Sequence, residues 1–261
     1  VKSINIIILL LAYSLQSLSE VTCHNPHHLH SQEETLDQFQ NLDSQLQEKL
    51  GELKNCLDLN KYSCLYQKEK STNSTLVIYH RGHWASFKGD VPLDQRNNSL
   101  KQAIDFYELN KSHEQVESPF LISASSNIGF TIKEIESALL SANLAADSKV
   151  ILASHSGGYV GLLKTLNYLK KSVYTFDISQ IIMLDNFYFI KESTSLIKSF
   201  LDKGTKCSGY LTAHNSTRFK ERFSSTVNSN QCSMKLKVNH NKGVNACLSD
   251  YIQTNDCLKE I

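Results

Sequence analysis

The chain has 261 residues, with 27 Lys and Arg against 26 Asp and Glu, 41% hydrophobic residues, 10 Gly and 3 Pro. That composition belongs to a globular protein and excludes collagen, low-complexity linkers and acidic tails. A formal net charge of +1 gives no general electrostatic drive toward nucleic acid, so none is expected as a partner.

The length suffices for one large α/β domain with a full core. At the N-terminus, Lys2 precedes an apolar run over residues 4–13 broken only by Asn5, and Ser17 and Ser19 sit before a plausible cut ahead of Glu20. This is the layout of a secretory signal peptide, expected over 1–19. The apolar stretch is shorter than the roughly 17 to 25 residues a bilayer span needs, so export rather than a stable membrane span is expected. Val1 in place of Met would suit a GTG start codon, which gives the expectation of a bacterial source and a secreted or periplasmic location. Residues 20–33 form a His-rich flexible segment; His24, His27, His28 and His30 could gather a metal, but tail histidines are usually idle and no metal is expected.

Leu36, Phe39, Leu42, Leu46, Leu50, Leu53 and Leu57 recur at three- and four-residue steps. The spacing predicts an amphipathic helix over 34–58 that lies on the following domain, 59–261. A dimerising coiled coil is the sharper alternative, weakened by Gly51. From Cys64 onward, strands are predicted at 65–66, 75–80, 120–123, 149–153, 180–184, 209–212 and 234–238. Helices are predicted around 99–109, 131–146, 157–171, 193–201 and 244–252. Continuous apolar strands alternating with amphipathic helices indicate an α/β fold with a mostly parallel sheet flanked by helices on both faces.

The seven cysteines show no repeated C-x-x-C, which points away from a thiolate cluster. After export they can pair: Cys56 with Cys64 and Cys247 with Cys257 close short loops, and Cys207 with Cys232 a longer one. Spacing does not decide between pairings, and one cysteine, most simply Cys23, is left over. Sequons at Asn73, Asn97, Asn110 and Asn215 would matter only in a eukaryotic host.

Chemistry concentrates at residues 149–159, an apolar strand running into a helix with Ser156 at the vertex. A nucleophile elbow holds its serine in a strained backbone conformation and needs small residues two before and two after it. Ser154 and Gly158 meet that need. The turn would lift the Ser156 hydroxyl above the sheet, and the Gly157 N–H at the helix start would face a developing oxyanion. Without chemistry, the same pattern would be a tight strand-to-helix turn.

His155-Ser156-Gly157-Gly158, His80-Arg81-Gly82-His83-Trp84 after an earlier strand, and the order of elements together make the chain resemble the α/β-hydrolase family from about Leu65 to the C-terminus. The resemblance implies a second oxyanion N–H from the His-Gly loop, given by Gly82 or His83, and a triad in the order serine, acid, histidine. Ser154 stands where the family usually has the first glycine of the elbow. Asp185 ends the apolar strand at 180–184, at the edge where sheet ligands gather, and is the expected acid. Residues 209–217 hold no carboxylate, and Asp202 precedes its strand. His240, after the strand at 234–238, is the expected base, with His214 the competitor.

The implied activity is that of a secreted serine hydrolase of the esterase or lipase type, working through an acyl-enzyme on Ser156 without a cofactor. Residues 186–190 leave room for no large lid, and their aromatic side chains would suit an acyl or aromatic group on a small-molecule or acylated substrate. The other expectation is a non-catalytic binding or adaptor protein on the same scaffold, in which serine, acid and base need not converge.

Overall fold

The computed structural model describes residues 48, 51–56, 63–68, 74–82, 118–123, 126–185, 191–211 and 232–236. The chain divides into two units, residues 1–35 and 36–261, and all described residues lie in the second. The expected leader, the His-rich segment, the predicted helices at 99–109 and 244–252, and Cys247 and Cys257 lie outside them.

Among the described residues, eight strands form one sheet: β1 (Glu52–Cys56), β2 (Cys64–Gln67), β3 (Thr75–His80), β4 (Phe120–Ile122), β5 (Lys149–His155), β6 (Asp177–Leu184), β7 (Lys206–Leu211) and β8 (Cys232–Leu236). Their order is β1-β2-β4-β3-β5-β6-β7-β8. The β1–β2 and β2–β4 pairs are antiparallel, and every pair from β4 through β3 to β8 is parallel. Parallel strands need crossovers, and the described ones carry helices α1 (Ile132–Ser141), α2 (Tyr159–Lys170) and α3 (Lys191–Leu201). The architecture is an α/β fold on a mostly parallel sheet.

Burial explains why the strands read as unbroken apolar runs. Leu76 and Ile78 of β3, Val150 and Leu152 of β5, and Ile181 and Met183 of β6 join Leu139, Leu162, Leu166 and Phe200 in one cluster. Alternate residues of a strand face opposite sides. Val77, Tyr79, Phe120, Ile122 and Ala153 therefore face the other side, and they too are buried.

α1 starts on a capping box: the Thr131 hydroxyl accepts from the Glu134 N–H, and the Glu134 carboxylate accepts from the Thr131 N–H. The predicted helix ran to Ala146, but it stops at Ser141. Asn143 sits at φ 56, and the Asn143 and Leu144 amides turn back to the Leu140 and Leu139 carbonyls, the double bond of a Schellman end.

The N-terminal expectation needs correction. Glu48 is helical, but residues 52–56, assigned above to the helix at 34–58, form edge strand β1 paired with β2. Gly51 lies at φ 102, outside right-handed helix space, and a Cβ there would stand 2.7 Å from the Gln67 carbonyl carbon. The sheet thus begins before the expected boundary at 59.

Cys207 and Cys232 form a disulfide joining β7 to β8, 25 residues apart in the chain. Cys64 is also disulfide-bonded, and the β1–β2 register sets Cys56 opposite it. Closing a loop of that length removes unfolded-chain entropy worth about 3 kcal/mol. The double variant Cys207→Ala, Cys232→Ala is therefore expected to lose about that much unfolding free energy in urea titrations. A midpoint equal to wild type would contradict it.

Candidate active site

β5 is buried over its last four residues and ends at His155. Ser156 then takes φ 49, and a single 3-10 turn, Ser156–Gly158, leads into α2. For a serine this is left-handed backbone that costs on the order of 1–3 kcal/mol and persists only where its surroundings impose it. The imposing contact is at Gly158: a Cβ there would overlap the His80 carbonyl oxygen and stand 2.7 Å from that of Arg81. Only glycine lets the elbow lie this close to the end of β3. Ser156 is half-buried, whereas Gly157 and Gly158 are buried.

The chain leaves β3 through His80, Arg81 and Gly82, all buried. A Cβ on Gly82 would stand 3.0 Å from the Ser156 Cβ and 3.2 Å from His155 Nδ1. The His-Gly loop therefore lies directly against the serine, and His155 is buried beneath both. The Arg81 N–H donates to Ser123 Oγ at 2.9 Å, so it is committed and Gly82 is the first amide beyond it. Burial pushes the Arg81 guanidinium down to about 9, with Tyr79 acting in the opposite sense.

His80 is an anchor. Its Nδ1–H donates to the Ile128 carbonyl at 3.1 Å, and its Nε2 takes the Thr165 hydroxyl of α2 at 3.3 Å. The same hydroxyl accepts the Phe130 N–H at 2.8 Å. The Gly161 N–H donates to the Ser126 carbonyl at 2.9 Å. These bonds sew the loop before α1, the end of β3 and α2 into one frame beneath the elbow.

Burial pushes the His80 imidazole from 6.5 to about 4, the Ile128 hydrogen bond opposing this only in part. Between those values the unfolded chain binds the proton and the folded chain does not. The neutral ring's contribution to stability is thus intact above about pH 6.5 and is lost as the pH falls toward about 4, a change on the order of 3 kcal/mol. Urea titrations from about pH 7 to about pH 4.5 should show that decline, and His80→Asn, which can keep a donor toward Ile128 but does not titrate, should flatten it. An equal slope in the variant would contradict this assignment.

β5 and β6 run in parallel with His155 opposite Leu184. The next residues, Ser156 and Asp185, therefore emerge side by side at the carboxyl ends of adjacent strands, the edge at which ligands of open α/β sheets gather. Asp185 is 1% exposed and sits at φ 42. Among the described residues, the non-glycine positions of positive φ are Asn143, Ser156 and Asp185. Asn143 closes a helix, where asparagine is ordinary; the other two stand together at the sheet edge. Asp202 follows α3 ahead of β7, is exposed, and pairs with Lys198 at 2.6 Å, at the far end of the sheet from Ser156.

Of the residues expected at the site, Ser156, Gly157, Gly82 and Asp185 are brought together at one edge. His83, His240, the competitor His214 and the aromatic run at 186–190 lie outside the described residues. β8, which precedes His240 in the chain, stands two strands beyond β6. Burial pushes the Tyr159 phenol up to about 12, with the Ser193 side chain acting in the opposite sense. The supporting roles of Ser123 and Thr165 were not anticipated, because each acts on residues far away in the chain. No group of three His, Cys, Asp or Glu placed to hold a metal occurs among the described residues, and none of the described helices is long and apolar enough to cross a membrane.

No protein-family model matches the chain, and no curated protein matches it. Among solved structures it is similar to LpqC, a poly(3-hydroxybutyrate) depolymerase from Bordetella parapertussis, at 9% identity over 90% of this chain and 97% of that one, with a TM-score of 0.47. It is also similar to Smu.1393c from Streptococcus mutans, at 11% identity over 73% of this chain and 92% of that one, with a TM-score of 0.37.

Proposed function

We propose that the protein is a secreted serine hydrolase that cleaves an ester or related acyl bond through an acyl-enzyme on Ser156. The observation that carries this reading is the strained Ser156, φ 49, at a strand-to-helix vertex with the Gly82 loop against it. A backbone strained in that way, at that edge of a parallel sheet, is what a nucleophile elbow requires. Asp185 beside it supplies a buried carboxylate at the same edge.

In this reading His240 takes the Ser156 proton as Oγ attacks the acyl carbon. Asp185 orients the ring and stabilises the imidazolium. The tetrahedral oxyanion receives N–H donors from Gly157 and from Gly82 or His83. The imidazolium returns its proton to the leaving alcohol, and water, deprotonated by the same histidine, releases the acid and frees Ser156. Residues 1–19 serve as the export leader. The Cys207–Cys232 disulfide suits an oxidising compartment.

The test is a panel of p-nitrophenyl esters from acetate to longer acyl chains, with and without phenylmethylsulfonyl fluoride. Turnover that the sulfonyl fluoride abolishes is expected. Release of p-nitrophenol no faster than in buffer for every ester would overturn the proposal.

A further inference from the structure

The turn that delivers Gly82 to the serine is fastened by a residue outside the triad. Ser123, fully buried, follows the last residue of β4, and its N–H donates to the Tyr79 carbonyl at 3.0 Å, as a rung of the β3–β4 pair. The next amide of β3's extension, that of Arg81, donates to the Ser123 side-chain hydroxyl at 2.9 Å. One residue thus holds the chain at Tyr79 and again at Arg81, on either side of His80. The Arg81 N–H and the His80 carbonyl belong to the same peptide plane. Its N–H edge rests on Ser123, and its carbonyl edge lies against Gly158, in the space a Cβ there would need. The plane is therefore clamped between Ser123 and the nucleophile turn, and Gly82 leaves it in the direction that brings it against the Ser156 Cβ.

We propose that Ser123 is a positioning residue for the oxyanion site: its hydroxyl fixes the His80–Arg81 peptide plane and thereby the placement of the Gly82 loop over Ser156. The inference rests on the hydrolase reading above. Without the hydroxyl, the buried Arg81 amide has to turn toward another acceptor. That rotation drives the His80 carbonyl along the face of Gly158 and swings Gly82 away from the serine. Stabilisation of the oxyanion then suffers, while binding of the ground-state ester does not.

The experiment compares wild type, Ser123→Ala and Ser123→Thr with p-nitrophenyl acetate as substrate and an alkyl trifluoromethyl ketone as inhibitor. The ketone reports on the tetrahedral adduct. For Ser123→Ala, kcat is expected to fall about 10-fold, with KM within about 2-fold and the ketone inhibition constant raised about 10-fold. Ser123→Thr, which keeps the hydroxyl, is expected to recover most of both. If Ser123→Ala does not fold, Ser123→Cys carries the same expectation, because its sulfur is a weak acceptor. Wild-type kcat and ketone affinity in a variant lacking the hydroxyl would overturn the role of Ser123 and leave the hydrolase reading standing. A wild-type protein that neither turns over the ester nor binds the ketone would overturn both.

Discussion

Ser156→Ala is expected to lower kcat by about 10,000-fold or more while leaving the fold intact. The magnitude follows from what the hydroxyl does in the proposed reaction: it is the atom that forms the covalent bond, and the neighbouring oxyanion donors leave only a small residual rate without it. Folding should tolerate the change, because alanine is smaller than serine and Ser156 is only half-buried. Alanine is no better suited than serine to φ 49, so the strain is carried over rather than relieved. The check is steady-state ester hydrolysis beside a urea titration. Wild-type turnover in a folded variant would remove Ser156 from the chemistry.

Asp185→Asn is expected to lower kcat by about 1,000- to 10,000-fold, the loss expected when the acid of such a triad becomes an amide and the histidine is left in the wrong tautomer. Asparagine is the informative substitution because, like aspartate, it accepts left-handed backbone, and Asp185 sits at φ 42. Shape and backbone are retained and the charge is removed. A carboxylate that merely capped the following loop would leave kcat near wild type and change only the urea midpoint. Asp202→Asn serves as the control. Its carboxylate is exposed and paired with Lys198, at the opposite end of the sheet, so the rate should not change.

The parts of the fold legible in the sequence were those set by local pattern. Residues 75–80 and 149–153 read as buried strands because both of their faces are covered, so no polar alternation interrupts them. The serine turn was legible for a related reason: a vertex serine between Ser154 and Gly158 reflects a close backbone approach, and Gly158 does lie against the carbonyls of His80 and Arg81. β1 was not legible. Leu46, Leu50, Leu53 and Leu57 continue a helical stripe across Gly51, and the register shift between Leu53 and Asn55 erases the two-residue alternation that would have marked a strand. The disulfide between Cys207 and Cys232 was one option among several. It was settled by the pairing of β7 with β8, a contact no spacing rule contains.

The supporting shell of the site was hidden for the same reason. His80 meets Ile128 and Thr165, and Arg81 meets Ser123, all across sequence distances over which a single serine or threonine carries no signal. His80 has two hydrogen bonds within the frame, and burial lowers its imidazole to about 4, as suits a structural histidine.

The most direct test is to treat the wild-type chain with a fluorophosphonate, digest it, and locate the added mass by tandem mass spectrometry. A single adduct on the Ser156 hydroxyl, absent from Ser156→Ala and suppressed by prior denaturation, is the predicted result. Either no adduct on the folded chain, or equal labelling of wild type and Ser156→Ala, would contradict it.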